Sequence, residues 1–294
     1  GLNMSKNFSL GLIGFPLGHS VSPTLHKTAL AEANLEGSYE LFQIPPLPDG
    51  QGELETQINR LRTGELQGLN VTIPHKQSML HLVDDLTPSA RAIGAVNTLY
   101  LDSDKLVGHN TDAPGFWSDL QKLPLNQNQN ALILGAGGAA RAIVYALLIH
   151  GWQIAITDLN PQQTSALVDH FSAQSLKKDQ MNGFEFQPGL ISQKAAKAGL
   201  IINATPVGMH PHENASPWPD AYPLPQQASY YDVVYNPYET LFLHNAKSAG
   251  CSGRNGLGML VEQAALAFEC WTGFSPDPKK MMNAVRPEPA RSKQ

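Results

Sequence analysis

Cysteine is almost missing from this chain: only Cys251 and Cys270 occur among 294 residues, with no CxxC pair and no Cys/His cluster beside them. That excludes a disulfide scaffold and a structural zinc site and fits a reducing compartment, so no metal is expected. Charge is also scarce. Asp, Glu, Lys and Arg together make up 15% of the chain, and the net −5 with 20 scattered Lys and Arg leaves no basic field for nucleic acid. No apolar run approaches the roughly 18 residues that a membrane span needs, and no charged-then-apolar leader opens the chain. Residues 1–3 precede Met4 and are set aside as an appendage. These absences predict a cytoplasmic protein with a small-molecule ligand and neither a nucleic-acid nor a membrane partner. The length allows two domains of ordinary size.

Against these absences, glycine is plentiful where it matters. The stretch 130–142 reads NALILGAGGAARA: an apolar run, 131–134, ends in Gly135, Ala136, Gly137 and Gly138, and Ala139 opens a segment with Ile143, Ala146 and Leu147 at helical spacing. A strand, a tight turn and a helix in that order bring backbone N–H groups close to a pyrophosphate. A second apolar run, 154–157, ends in Asp158, where such a fold places its ribose-binding acid.

The N-terminal third offers polar groups at strand ends. A strand over 8–13 runs into GFPLGHSVSPTLHK, in which Ser22 and Pro23 read as the cap and first residue of a helix to about residue 33. Ser20 and Ser22 beside His19 could hold a hydroxylated or carboxylated ligand at the sheet's carboxyl edge. A second strand is predicted over 39–44 and a helix over 50–62 with Leu54, Ile58 and Leu61 on one face. In LNVTIPHK, 69–76, a strand ends at Thr72 and Pro74 reads as a helix start, which would aim Thr72 and Lys76 at the same edge. Residues 94–98 and 108–112 read as two strands around a polar turn, with Asn97 and Asp112 near their ends.

Further along, Asn160 and Pro161 predict a helix start, 168–189 reads as solvated surface including Lys177, Lys178 and Asp179, and short strands are expected over 199–203 and 230–234, the latter ending at Tyr235. The last long helix carries a stripe of Leu260, Ala264, Ala267 and Trp271 with Gln263 beside it, stops at Gly273, and leaves a loosely held tail after Pro276.

Together these stretches resemble the shikimate dehydrogenase family over nearly the whole chain. The motifs are HSVSP (19–23), NVTIPHK (70–76), GAVNT (94–98), GHNTDAPGF (108–116), GAGGAAR (135–141), NATPVGM (203–209) and GLGMLVEQA (256–264). The resemblance implies an α/β protein with an N-terminal α/β substrate domain, 4–112, completed by C-terminal helices at about 258–285. It implies an NAD(P)-binding Rossmann domain over 113–257, with the active site in the cleft between them. It further implies reversible reduction of 3-dehydroshikimate to shikimate by a monomer or homodimer.

Carried over by motif, the catalytic residues are Lys76 and Asp112, and the substrate is held by Ser20, Ser22, Asn70, Thr72, Asn97, Tyr235 and Gln263. Gly135, Ala136, Gly137, Gly138, Ala139, Asp158, Val233 and Gly256 face the cofactor, and the 204–209 loop lies near the nicotinamide ribose. Lys76 is the expected proton donor, with Asp112 positioning it or sharing the proton. One departure bears on the cofactor: members that use NADP show Asn-Arg-Thr or Asn-Arg-Ser where this chain has Asp158, Leu159 and Asn160. An acid facing a 2′-phosphate predicts NAD favoured over NADP, with Arg141 a possible compensating cation. Two rivals remain open. One is an NAD-dependent quinate/shikimate dehydrogenase of broader specificity, which Asp158 favours and the second serine of HSVSP disfavours. The other is a non-catalytic ligand-sensing module of this fold, which the presence of both Lys76 and Asp112 disfavours.

Overall fold

The computed structural model describes residues 6–174 and 178–288. They build two six-stranded sheets flanked by helices. The first sheet holds β1 (Asn7–Gly14), β2 (Glu36–Gln43), β3 (Gly68–Val71), β4 (Asp85–Leu86), β5 (Thr98–Asp102) and β6 (Lys105–His109) in the order β2-β1-β3-β5-β6-β4. Only β5 runs antiparallel to its neighbours. The second holds β7 (Asn130–Leu134), β8 (Gln153–Thr157), β9 (Met181–Gly183), β10 (Leu200–Asn203), β11 (Ser229–Asp232) and β12 (Gly253–Asn255), all parallel. Its order, β9-β8-β7-β10-β11-β12, is the doubly wound 3-2-1-4-5-6 arrangement that binds dinucleotides where strand order reverses, beside β7. The first sheet reverses its order beside β1, so loops leaving β1 and β3 flank a crevice of the same kind.

A strand buried on both faces needs apolar side chains throughout, and β7 has them. Ala131 and Ile133 enter one core with Ile143, Leu147 and Ile156, while Leu132 and Leu134 enter another with Ile191, Ile201 and Phe242. Those cores are closed by α5 (Gly138–Ile149) and α6 (Pro161–Ser172) on one side and by α7 (Pro188–Ala195) and α8 (Leu241–Ser248) on the other. On the first sheet α1 (Ser22–Glu32), α2 (Gln51–Arg62) and α3 (Pro88–Ile93) do the same work.

The chain returns to its beginning at the end. From α9 (Leu257–Thr272) and α10 (Pro278–Val285), Val261, Ala264, Phe268 and Met281 pack with Phe8, Leu10 and Leu25, and Trp271 Nε1 donates to the Leu99 carbonyl at 3.1 Å. Between the sheets lies α4 (Asp112–Leu120), pressed against both α5 and α9. The α4–α9 crossing is close because glycine lines it: a Cβ at Gly115 would stand 3.0 Å from the Gln263 nitrogen, and one at Gly258 would strike the Asp119 carboxylate. That carboxylate has no solvent exposure and accepts from Arg254 Nε and Nη2 at 3.0 and 2.8 Å and from the Tyr231 hydroxyl at 2.8 Å.

Several expectations need correction. Ser22 is not a helix cap: Val21 occupies that position, and the Ser22 N–H instead donates to Ser20 Oγ at 3.2 Å. Pro74 starts no helix. Residues 73–77 form turns, with the Lys76 carbonyl taken by the Val96 N–H at 2.9 Å, and only Ser78–His81 coil briefly into a 3-10 turn. The 168–189 stretch is not all solvated surface: it ends α6, where Phe171 is buried, adds β9 and begins α7, whose Ile191 and Ala195 are fully buried. Asp179 is exposed as expected, whereas Lys177, the Lys178 side chain and residues 1–3 lie outside the described residues. The tail is not loose over 278–285: α10 buries Met281 completely, because its apolar face covers α1. Replacing Asp119 with Ala would leave Arg254 and Tyr231 unpaired at the α4–β11–β12 junction. Loss of one partner of a buried pair costs about 3 kcal/mol, so we expect the thermal midpoint to fall by about 5–10 °C, measurable by calorimetry.

Candidate active site

Lys76 and Asp112 come together from the loops that leave β3 and β6 at the same edge of the first sheet. Lys76 Nζ lies 2.7 Å from Asp112 Oδ2, and both side chains are largely enclosed, at 11% and 7% exposure. Asp112 is the first residue of α4, where the helix dipole favours an anion. Its backbone N–H donates to Asn110 Oδ1 at 2.9 Å, which holds the turn that aims it. The second carboxylate oxygen accepts from Asn97 Nδ2 at 3.1 Å, and the same amide reaches Thr111 Oγ1 at 2.8 Å and Gln263 Oε1 at 3.2 Å. Residues 97, 112 and 263 thus meet at one amide, although 166 residues separate Asn97 from Gln263.

The network extends to the floor of the crevice. Asn70 Nδ2 donates to the Asn97 carbonyl at 3.1 Å and to Thr98 Oγ1 at 3.2 Å, and Asn70 Oδ1 accepts from the Tyr39 hydroxyl at 2.9 Å. His26 stacks on the Tyr39 ring, 4.3 Å between centroids, with Phe268 and Trp271 around it. Burial drives the His26 imidazole down to about 3, so it is neutral, an apolar-type support for the tyrosine. Ser22, the first residue of α1, is buried, and Ser20 in the loop before it is half-buried. Thr72 follows β3 directly, half-buried beside that loop.

The second sheet contributes its switch point. Gly135 takes φ +109°, a conformation that favours glycine, and a Cβ there would stand 2.9 Å from Ala204 backbone. Gly137 precedes α5 with no side-chain cap and with open space where a Cβ would go, so the turn offers uncovered N–H groups to an anion. A pyrophosphate fits that cradle. At the tip of β8, Asp158 accepts from the Ala136 N–H at 2.8 Å and the Asn160 N–H at 2.7 Å, and Leu159 beside it is 73% exposed. Arg141 points elsewhere, into the interface with α3, with Nη1 3.5 Å from the Gly94 carbonyl.

The remaining predicted residues stand nearby. Asp232 at the end of β11 accepts from Asn203 Nδ2, the Val234 N–H and Thr240 Oγ1 at 3.0, 3.0 and 2.7 Å, with burial pushing its carboxyl up to about 7 against those donors. This ties the loop of 204–209 to the segment carrying Val233 and Tyr235. Gly256 is forced by close approach, since a Cβ would collide with the Val233 backbone. Burial raises the Tyr235 phenol, and the Val21 backbone beside it acts the other way, so Tyr235 reaches the serine loop from the second sheet. Among the described residues no group of three or more His, Cys, Asp or Glu could hold a metal.

Residues 12–99 match the family model described as shikimate dehydrogenase substrate binding domain, and residues 256–286 match the shikimate 5'-dehydrogenase C-terminal domain. A protein named shikimate dehydrogenase (NADP(+)) from Carboxydothermus hydrogenoformans is 38% identical over 94% of this chain and 95% of its own length. The chain belongs to the shikimate dehydrogenase family. The crystal structure of shikimate 5-dehydrogenase from Thermus thermophilus in complex with NADP(H) and shikimate is 38% identical, covers 95% of this chain and 98% of its own, and superposes with a TM-score of 0.79. Quinate dehydrogenase from Corynebacterium glutamicum in complex with NAD is 30% identical, covers 95% and 99%, and gives 0.82. This family fold therefore accommodates either nucleotide in different members.

Sequence reading missed Tyr39, His26 and Thr111 as members of the network. Thr111 lay inside a quoted motif, but Tyr39 and His26 carry no local signal, since only the fold sets them behind Asn70. Asn97→Ala would leave Gln263 Oε1, Thr111 Oγ1 and Asp112 Oδ1 each short of a donor. The expected cost is about 1–3 kcal/mol of stability, read as a lowered midpoint of urea unfolding at unchanged slope.

Proposed function

We propose that this chain is a nicotinamide-dependent oxidoreductase that interconverts 3-dehydroshikimate and shikimate. The observation that carries this reading is the enclosed Lys76–Asp112 pair, held by Asn97 at the carboxyl edge of one sheet and facing the glycine turn of the other. In this reading residues 4–112 and about 258–285 form the substrate domain and 113–257 the dinucleotide domain. Ser20, Ser22 and Tyr235 bind the carboxylate, while Asn70, Thr72, Asn97, Asp112 and Gln263 sort the ring hydroxyls. The bound nucleotide supplies or accepts the hydride.

Lys76 gives its proton to the ketone oxygen as the carbon is reduced, so that C=O becomes CH–OH; in the oxidative direction the neutral amine takes it back. Asp112 holds Nζ at the reacting oxygen. Where buried polar groups take ring hydroxyls as their partners, a ligand lacking a hydroxyl leaves them unmatched, which favours discrimination. Lys76→Ala should lower turnover by about 10²- to 10⁴-fold with shikimate binding retained. Asp112→Asn should lower turnover and weaken shikimate binding. Near-normal steady-state turnover in the lysine variant would remove it from the mechanism.

For the nucleotide we infer a preference for NAD, although several relatives are named for NADP(+). Support comes from Asp158, whose carboxylate is held at the β8 tip by two backbone N–H groups and forms no ion pair among the described residues, and from exposed Leu159. The Arg141 guanidinium is turned toward Gly94 and offers no compensation there. Like-charge repulsion and lost ribose hydrogen bonds of a few kcal/mol correspond to roughly a ten- to thousandfold preference in kcat/KM. The check is kcat/KM for both nucleotides with shikimate and with quinate, in the wild type and in Asp158→Asn with Leu159→Arg, which should move toward NADP. A wild-type preference for NADP would overturn the like-charge argument, and higher kcat/KM with quinate would favour the broader-specificity reading.

A further inference from the structure

Arg141 is 6% exposed, its Nε has no partner among the described residues, and its Nη1 faces only the Gly94 carbonyl. Burial lowers its pKa. What it meets instead of a carboxylate is the C-terminal end of α3, where helix carbonyls carry partial negative charge. From α6 and the turn that follows it, His170 Nε2 and Gln174 Nε2 reach the Ala92 carbonyl of the same helix end at 2.9 and 3.1 Å. Gly94 ends α3 at φ +74°, and a Cβ there would stand 2.5 Å from Arg141 Nη1 and 2.8 Å from His170. The fit is therefore made for a backbone without a side chain.

The gripped segment leads straight into the reacting groups. Two residues on, the Val96 N–H donates to the Lys76 carbonyl at 2.9 Å, and Asn97 holds Asp112. On its other side the Lys76 stem rests against Gly138, where a Cβ would lie 3.0 Å from Lys76 Cβ and Cδ. Arg141 rises from the first turn of the same helix, α5.

We propose that Arg141 is a positioning residue: by clasping the end of α3 it holds the 94–97 strut, and with it Lys76 and Asn97, in register with the glycine turn that receives the cofactor. This inference rests on the function proposed above. Misplacing reacting groups by an ångström costs up to about a hundredfold in rate. Arg141→Met should therefore lower kcat roughly ten- to a hundredfold while the KM values for shikimate and nucleotide stay within about twofold. The deuterium isotope effect on kcat with 4-deuterated reduced nucleotide should rise, and amide exchange at residues 94–97 should quicken without ligand. Arg141→Lys should recover part of kcat.

Gln174→Ala, which removes an uncharged hold on the same helix end, should change kcat and the isotope effect in the same direction, and serves if the methionine variant does not fold. Wild-type kcat and isotope effect in folded Arg141→Met, or in Gln174→Ala where the former does not fold, would overturn the proposal. So would a rise in KM confined to NADP, which would assign Arg141 to the 2′-phosphate. If the wild type turns over no shikimate with either nucleotide, the functional reading fails by itself, and amide exchange at 94–97 still decides whether Arg141 holds the strut.

Discussion

The arrangement depends on one enclosed ion pair, Lys76 with Asp112, whose two members come from segments that have no local reason to meet. Lys76 sits in a turn after β3, its carbonyl captured by Val96, and Asp112 sits at the head of α4. Removing either member would strand the other in an enclosed site, at a cost far above that of an exposed pair. The surrounding amides answer that risk: Asn97 satisfies the second carboxylate oxygen and is fixed in turn by Thr111, Asn70 and Gln263.

Helix α4 is where this chemistry joins the rest of the fold. Its first residue is Asp112, and near its other end Asp119 is locked by Arg254 and Tyr231 from the second sheet. Glycines at 115 and 258 let α9 approach closely enough for Gln263 to touch Asn97 and for its carbonyl to accept from Thr111 Oγ1 at 3.0 Å. Packing that merely stabilises α4 is thus also what sets the position of a carboxylate. The C-terminal helices matter for the same reason, since they anchor Gln263 while closing the core over β1 and α1.

Elements with a strong period or a stereochemical reason were legible in the sequence. The strand–turn–helix around Gly135, the Asn160 cap of α6 and the left-handed Gly273 stop all follow from local preferences that tertiary contacts reinforce. The β8 tip at Asp158 was legible because the doubly wound fold fixes its distance from the glycine turn. Pro74 misled because a helix-start signal competes poorly with a carbonyl already claimed by the segment that leads into β5. The α10 helix did carry a local start signal, the Asp277 cap followed by Pro278, but its docking was hidden, because only the surface of α1 and its core give Met281, Met282 and Val285 their partners. In the site, motif residues could be named but not their wiring. The shared amide of Asn97 and the support of Tyr39 by His26 are products of long-range packing, invisible to spacing.

In the proposed reaction Lys76 is the group that moves the proton. The most direct measurement is chemical rescue of Lys76→Ala by small primary amines, with turnover of shikimate followed as amine concentration and basicity are varied. The account predicts saturable recovery that grows with amine basicity and is lost in amines too bulky for the enclosed site beside Asp112. Turnover that stays low and indifferent to every amine, in a variant shown to bind shikimate normally, would contradict it.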